Sequence, residues 1–177
     1  MPYAIEMSFD PATDAVVRGA FAEMKRRALG YDLTPSRPHV TLAVASDTID
    51  EPTLAAELRA FAAKRAPVPV RLAYVSTFPG GVVYLAPFVT PALLELHRAL
   101  HARVPDLPPA AISHDYRPGA WTPHCTLAHD LRSDEIDTAV RVATSLPLPI
   151  DAALVRVSLV RYRPVDERLG VPLGGRT

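Results

Sequence analysis

The sequence lacks several features that would define its class directly. It has a single cysteine, Cys125, which excludes an intrachain disulfide framework and a multi-cysteine zinc site and which we interpret as a small core residue. Its 19 basic residues balance 19 acidic ones, so the net charge of zero provides no overall field that would attract a polyanion. We therefore expect no binding to long duplex nucleic acid, whereas a small phosphate-bearing ligand is compatible with the composition.

Long apolar runs and a secretory leader are missing as well. No stretch approaches the roughly 20 apolar residues of a membrane span, and residues 1–9 show no basic segment followed by an apolar block. We expect a soluble protein with no membrane partner, and a cytoplasmic location is the default. With 49% hydrophobic and 21% charged residues in 177, the composition is that of a globular protein with a substantial core.

What the sequence does contain is a six-residue phrase that occurs twice. Residues 38–43 read Pro-His-Val-Thr-Leu-Ala, and residues 123–128 read Pro-His-Cys-Thr-Leu-Ala. In an extended strand alternate side chains share a face, so the histidine and the threonine of each copy point away from the apolar positions. The four side chains concerned are His39, Thr41, His124 and Thr126. Two such strands side by side would form a two-histidine site.

Two histidines can divide the proton transfers of phosphodiester chemistry. Because imidazole titrates near neutrality, one ring can take a proton from an attacking water or hydroxyl while the other gives a proton to the departing ribose oxygen. The hydroxyls of Thr41 and Thr126 can donate hydrogen bonds to the nonbridging phosphate oxygens as negative charge accumulates there. Which histidine is the base depends on the direction of the substrate and stays open at this point.

Packing and metal binding are the competing interpretations. A single His-x-Thr on a strand is more often structural, but two copies within the same phrase are much harder to explain by packing. Neither copy has a carboxylate or second ligand at a useful offset on its polar face, so we predict no metal and no cofactor. His97 and His101 are a conceivable ligand pair on one helix, which we interpret as surface residues, and neither His114 nor His129 is assigned to the site.

Periodicity and turn residues predict an α+β fold rather than a doubly wound parallel sheet. Between the predicted strands 69–78 and 81–87, Pro-Gly-Gly indicates a hairpin, and a long proline-rich loop over 104–119 leads to the second motif strand. The remaining predicted elements are strands over 3–9, 37–45 and 152–163 and helices over 10–29, 52–64, 91–103 and 134–145.

The doubled phrase, the chain length and this layout resemble the 2H phosphoesterase superfamily, which includes bacterial 2'-5' RNA ligase-like proteins and cyclic phosphodiesterases. Residues 78–85 also resemble the hairpin between the two motifs of that family, and residues 116–124 resemble the approach to its second motif. The resemblance implies one domain over residues 1–177 made of two pseudo-symmetric lobes. In such a bilobal, duplicated fold two antiparallel sheets face each other across a central cleft, with helices on the outside.

The resemblance also implies metal-independent chemistry on a 2',3'-cyclic phosphate or a 2'-5' linkage of a nucleotide or RNA end. By motif position, the catalytic pair falls on His39 and His124, and the phosphate-binding hydroxyls on Thr41 and Thr126. The reverse, end-joining reaction would use the same pair with exchanged roles. The alternative is a module that binds a nucleotide or RNA end without turnover. Nothing in the sequence indicates an oligomeric state.

Strand parity adds four candidates for substrate contact, namely Tyr84 in the hairpin and Arg156, Ser158 and Tyr162 in the last predicted strand. A tyrosine facing the cleft could stack on a nucleobase, and an arginine could hold a phosphate. Tyrosine is equally common at the edge of a core, so for the two tyrosines a packing role stays open.

Overall fold

The computed structural model describes residues 3–45, 50–103, 113–162 and 164–174. The predicted α+β class is confirmed, since strands and helices alternate with hairpins along the described chain. The elements are β1 (Tyr3–Phe9), α1 (Pro11–Arg26), β2 (His39–Ala45), α2 (Glu51–Ala63), β3 (Val68–Phe78), β4 (Val82–Pro87), α3 (Pro91–His101), a short 3-10 turn (His114–Tyr116), β5 (Cys125–Ala128), α4 (Ile136–Thr144), β6 (Ile150–Arg161) and β7 (Asp166–Pro172). The larger part of the predicted proline-rich loop, residues 104–112, lies outside the described residues, as does residue 163.

Three of the helices begin with a side-chain cap and a proline in the first turn. Asp10 accepts hydrogen bonds from the backbone of Ala12 and Thr13 at the start of α1, and Asp50 and Thr90 cap α2 and α3 in the same way. The helix predicted over 10–29 ends at Arg26 instead, because Ala28 adopts a positive φ of 54° that no helix accommodates.

All seven strands belong to one antiparallel sheet with the order β2-β1-β6-β3-β4-β5, and β7 pairs with β6. This corrects the expectation of two separate sheets. The long strand β6 pairs with β3 over Ile150–Leu154 and with β1 over Leu154–Arg161, so it joins the two groups of strands into one sheet. Whether the lobes arose as a duplication stays a prediction.

Strand β7 was not predicted from the sequence. It begins Asp-Glu-Arg, and none of its residues is buried, so it lacks the alternation of apolar and polar residues that marks a half-buried strand. Its position is set by pairing with β6 over Arg156–Arg161.

The two motif strands lie at opposite ends of the strand order, yet β2 and β5 contact each other, so the sheet curves until its ends approach. Both strands also change register at the same point of the phrase. On β2 the shift leaves Leu42 as the extra residue between Thr41 and Ala43, and on β5 it leaves Leu127 between Thr126 and Ala128. Both leucines are buried in the core, which fixes the polar face of each strand toward the other.

The core lies between this sheet and the helices packed on it. Helix α1 contacts β5 and β6, α2 contacts β6 and β7, and α4 contacts β4. Among its largest fully buried side chains are Phe61, Ile5, Met7, Leu42, Leu58, Leu72, Leu85, Leu127 and Leu154. None of the helices in the described part of the chain has the length and apolar character needed to cross a membrane.

Candidate active site

A cleft of about 1400 Å³ opens between the two motif strands. All four side chains of the doubled phrase line it, namely His39, Thr41, His124 and Thr126. The volume exceeds the range of roughly 300–1000 Å³ typical of small-molecule sites, so it can hold a nucleotide or a short oligonucleotide end.

Both histidines are oriented by the same backbone contact. The Nδ1–H of His39 donates to the carbonyl of Arg37, and that of His124 donates to the carbonyl of Thr122, each at 2.7 Å. Each acceptor residue precedes the proline of the phrase, and a residue before proline is held in an extended conformation. Because a carbonyl can only accept, the proton of the neutral ring is assigned to Nδ1 and the lone pair to Nε2. Both rings are therefore prepared to exchange a proton at Nε2.

The first histidine has a buried carboxylate beside its reactive nitrogen. Glu6 Oε1 lies 3.5 Å from His39 Nε2, and Glu6 is the partner of Thr41 in the ladder between β1 and β2. Burial raises the pKa of Glu6, the positive charge of His39 opposes this rise, and the charge of Glu167 adds to it. Glu6 therefore keeps its proton to higher pH than an exposed carboxyl group, within 3.5 Å of the reactive nitrogen of His39.

Sequence analysis missed Glu6, although a signal was present. Its neighbours Ile5 and Met7 are completely buried on the opposite face of β1, while Ala4, Glu6 and Ser8 line the cleft. An ionisable side chain flanked by two core residues on a central strand is unusual enough to mark a polar site.

The second histidine is surrounded by aromatic rings instead. The rings of Phe78 and Tyr84 lie 4.9 and 5.4 Å from that of His124, in edge-on arrangements. Burial lowers the pKa of His124, the hydrogen bond to Thr122 opposes this, and the charge of His39 lowers it further. His124 therefore stays neutral to lower pH than an exposed histidine does.

The backbone of the first motif is held from outside the cleft by side chains. As an edge strand, β2 would leave carbonyls without partners, but Trp121 Nε1–H donates to the carbonyl of Thr41 at 2.9 Å. The bulged Leu42 carbonyl lies 3.1 Å from the Nε2 atoms of both His97 and His101. The position of Thr41 in the cleft thus depends on these three rings.

The interpretation of His97 as a surface residue was wrong. Its ring is 2% exposed, stacks on Trp121 at 4.0 Å, and lies with Nε2 2.9 Å from the carbonyl of Tyr116. Burial lowers the pKa of His97 to about 4, with the charge of His101 acting in the same direction, so the ring is neutral at physiological pH. It was misread because its partners are backbone carbonyls distant in sequence.

Of the four further candidates, the structure places Ser158 and Tyr162 in the cleft lining but not Arg156 or Tyr84. The Arg156 guanidinium binds Glu167 at 2.6 Å and covers Gly170, so a side chain added at that position would have to displace it. The exposed fraction of Tyr84 is 6%, because Phe78 stacks on it at 4.2 Å. Neither Arg156 nor Tyr84 belongs to the described cleft lining, and a ligand contact by either stays a prediction.

Cys125 is buried in the core, as its strand parity predicts, and burial raises the pKa of its thiol to about 12. In the described part of the chain, His, Cys, Asp and Glu side chains do not come together in groups of three or more that could hold a metal ion.

Comparison with known proteins places this site in a family context. The model of the 2'-5' RNA ligase superfamily matches residues 11–166. Among curated proteins no sequence matches the chain. Solved structures of similar fold include TT0787 of Thermus thermophilus, with a TM-score of 0.69, 18% identity and 100% of both chains covered.

Two further structures share the fold. E. coli LigT complexed with 3'-AMP has a TM-score of 0.59 and 15% identity, covering 98% of this chain and 97% of its own. Usb1 of Kluyveromyces marxianus has a TM-score of 0.52 and 15% identity, covering 97% of this chain and 98% of its own. At these identities the likeness concerns the fold alone.

Proposed function

This chain belongs to the 2'-5' RNA ligase superfamily, and from that premise we propose that it is a phosphodiesterase acting on the 2',3'-cyclic phosphate or 2'-5' linkage of a nucleotide or RNA end. The observation that carries the proposal is the matched pair His39 and His124, which line one cleft with Nδ1 bound to a backbone carbonyl and Nε2 left for proton exchange. Residues of the cleft perform the reaction without a metal ion.

The unlike surroundings of the histidines support a division of their roles in hydrolysis. His124 is kept neutral by burial and takes a proton at Nε2 from the attacking water. His39 Nε2, beside the Glu6 carboxylate, carries the proton that goes to the ribose oxygen as its bond to phosphorus breaks. The new P–O bond forms from water, one ribose hydroxyl is released, and the two rings recover their protonation states by exchange with solvent.

The phosphate is held between the two motif strands. Thr41 and Thr126 donate their hydroxyl hydrogens to the nonbridging oxygens, where negative charge grows in the transition state. Arg37 also lines the cleft, with its guanidinium 3.5 Å from Glu167, and adds positive charge near the phosphate.

A nucleotide as substrate is supported by the solved structures of E. coli LigT, which has been crystallised with 3'-AMP, NADP+ and ATP. End joining would run the same proton transfers in reverse, with His39 as the base and His124 as the acid. The direction depends on whether water or a ribose hydroxyl occupies the position of the nucleophile.

The test is hydrolysis of the four nucleoside 2',3'-cyclic phosphates in excess chelator, followed by chromatography. We expect chelator-resistant turnover in the wild-type chain and its loss in His39→Ala and His124→Ala. His114→Ala is the matched control, because that histidine is exposed and lies outside the cleft lining. Binding of 3'-AMP without turnover of any cyclic phosphate or 2'-5' dinucleotide would identify a binding module instead and overturn the proposal.

A further inference from the structure

One wall of the cleft carries an aromatic pair that the proposed reaction does not use. The rings of Tyr31 and His129 are stacked, with centroids 4.9 Å apart and planes 17° from parallel. Both line the cleft, yet Tyr31 is 49% exposed. Since His129 covers one face of the Tyr31 ring, the exposed area belongs to the remaining face and edge.

The pair is held rigidly by backbone contacts from three segments of the chain. The Tyr31 amide donates to the carbonyl of His129 at 2.9 Å, and the Leu131 amide donates to the carbonyl of Gly81 at 3.1 Å. At Gly30, with φ of 61°, an added Cβ would lie 2.3 Å from the His129 carbonyl oxygen, so only glycine permits this close approach.

The orientation of the His129 ring is fixed as well. Its Nδ1 lies 3.1 Å from a carboxylate oxygen of Asp130, a residue with a positive φ of 58°. A ring pair that is already ordered loses little conformational freedom when a ligand stacks on it.

Exposure distinguishes Tyr31 from the other aromatic residues. Among the tyrosine, phenylalanine and tryptophan side chains that the structure describes, Tyr31, Tyr74 and Phe88 are exposed, and of these three Tyr31 alone lines the cleft. Tyr74 and Phe88 contact each other edge to face at 5.3 Å elsewhere on the surface. An aromatic ring that served only to pack its loop would gain more by burial than this one does.

The position of the pair suits the base of a substrate whose phosphate lies between the histidines. His129 directly follows the second motif strand, and at ~3.3 Å per residue its backbone lies at most about 17 Å from that of His124. Imidazole and phenol side chains shorten this gap from both ends, so an extended nucleotide can span it. Phe78 also lines the cleft, and its ring lies edge-on to that of His124 with centroids 4.9 Å apart.

We infer that the Tyr31–His129 pair is a stacking platform for a nucleobase of the substrate, an inference that rests on the proposed function for the identity of the ligand. The platform binds the base by ring stacking, which every nucleobase can provide. It therefore contributes affinity for nucleotides over other phosphodiesters without contacting the reacting phosphate.

The test compares a substrate that has a base with one that lacks it. KM and kcat are measured for adenosine 2',3'-cyclic phosphate and for methyl riboside 2',3'-cyclic phosphate, using the wild-type chain, Tyr31→Ala, Tyr31→Phe and Tyr74→Ala. We expect Tyr31→Ala to raise KM for the adenosine substrate about 5- to 100-fold with little change in kcat. KM for the base-free substrate should not change, and Tyr31→Phe and Tyr74→Ala should behave like the wild-type chain.

Equal changes in KM for both substrates, or no change for either, would overturn the inference. Calorimetric binding of 3'-AMP and of inorganic phosphate provides a readout that needs no turnover. A loss of 3'-AMP affinity in Tyr31→Ala with phosphate affinity retained supports the platform even if no cyclic phosphate is hydrolysed, a result that would count against the proposed function alone. If Tyr31→Ala unfolds, Tyr31→Leu replaces it, because leucine keeps an apolar side chain on the loop but has no ring to stack; its KM should rise for the adenosine substrate alone, and an unchanged KM would overturn the inference.

Discussion

The two sides of the cleft are built alike in backbone and differ in what surrounds each histidine. Both motif strands have a bulge at the leucine and an Nδ1–H bound at 2.7 Å to the carbonyl before the proline. Nε2 of His39 then meets the carboxylate of Glu6, whereas His124 meets the rings of Phe78 and Tyr84. The repeated phrase thus sets the tautomer, and residues outside it give each ring a different neighbour.

The two motif strands also differ in the contacts that hold them from outside the cleft. The first motif is fastened by Trp121, His97 and His101, which donate to carbonyls of an edge strand. The second motif is followed directly by residues 129–131, whose backbone is hydrogen-bonded to that of Tyr31 and Gly81. Similar strands are therefore held by unrelated contacts.

The largest effects are expected from the histidines themselves. His39→Ala and His124→Ala should each lower kcat/KM for a cyclic phosphate about 10²- to 10⁴-fold, because each removes one of the two proton transfers. The double variant should lose much less than the product of the two single losses, since the pair acts as a unit. A loss of less than tenfold in either single variant would contradict the shared role.

Replacing Glu6 should have the next largest effect and should act on the His39 side alone. Glu6→Gln keeps the shape of the side chain but removes the charge beside Nε2, so we expect kcat/KM to fall about tenfold. The loss should be larger on a cyclic phosphate, whose ribose oxygen needs the proton from His39, than on bis(4-nitrophenyl) phosphate, whose leaving group needs none. Glu57→Gln is the control, because that carboxylate pairs with Arg103 outside the cleft lining. An equal loss on the two substrates, or no loss on either, would separate Glu6 from the acid step.

His97, which contacts the first motif strand from outside the cleft, should make the stability of the protein depend on pH. Folded His97 stays neutral down to a pKa of about 4, whereas in the unfolded chain it takes up a proton near its ordinary value of 6.5. Its contribution is therefore complete above pH 6.5 and is lost as the pH falls toward 4. His97→Phe should lower the free energy of unfolding at pH 7 by about 1–3 kcal/mol, because two carbonyls lose a donor.

Urea denaturation at pH 7 and pH 5 measures both parts of this prediction. Between pH 7 and pH 5, the free energy of unfolding should fall less in His97→Phe than in the wild-type chain. An equal pH dependence in the two proteins would show that other groups govern it, and His114→Phe controls for the loss of an exposed histidine.

The smallest effect on activity is expected from changes to the aromatic rings around His124. In the wild-type chain, burial lowers the pKa of His124, so the acid limb of kcat/KM should lie below the ordinary histidine value of 6.5. Phe78→Leu admits water to the ring and should raise that pKa toward its ordinary value, shifting the acid limb upward by less than about one unit. Phe88→Leu, on the surface outside the cleft, should leave the limb in place. A shift to lower pH in Phe78→Leu would contradict the role of burial.

The sequence predicts those parts of the molecule that depend on local patterns. Strand parity placed His39, Thr41, His124 and Thr126 on the cleft face, and local capping chemistry placed the starts of α1 and α3. Contacts between distant segments were not predictable in this way. The partnership of Glu6 with His39 depends on strand register, and the burial of His97 depends on carbonyls from Leu42 and Tyr116.

Strand parity alone also did not predict the neighbours of Arg156 and Tyr84. Parity indicated that both face the polar side of their strands, but parity does not say which neighbour occupies that side. Glu167, on the unpredicted strand β7, pairs with Arg156, and Phe78 covers Tyr84. Both candidates were displaced from the cleft lining by side chains whose positions only the assembled sheet defines.

The most direct test of the unlike roles varies the leaving group. Bis(4-nitrophenyl) phosphate releases a stable anion that needs no proton from an acid, whereas a cyclic phosphate releases a ribose hydroxyl that does need one. His39→Ala should therefore lose far less kcat/KM on the nitrophenyl ester than on the cyclic phosphate, while His124→Ala should lose activity on both. If His124→Ala were instead the variant spared on the nitrophenyl ester, or if both variants lost equally on the two substrates, the assignment of His39 as acid and His124 as base would be contradicted.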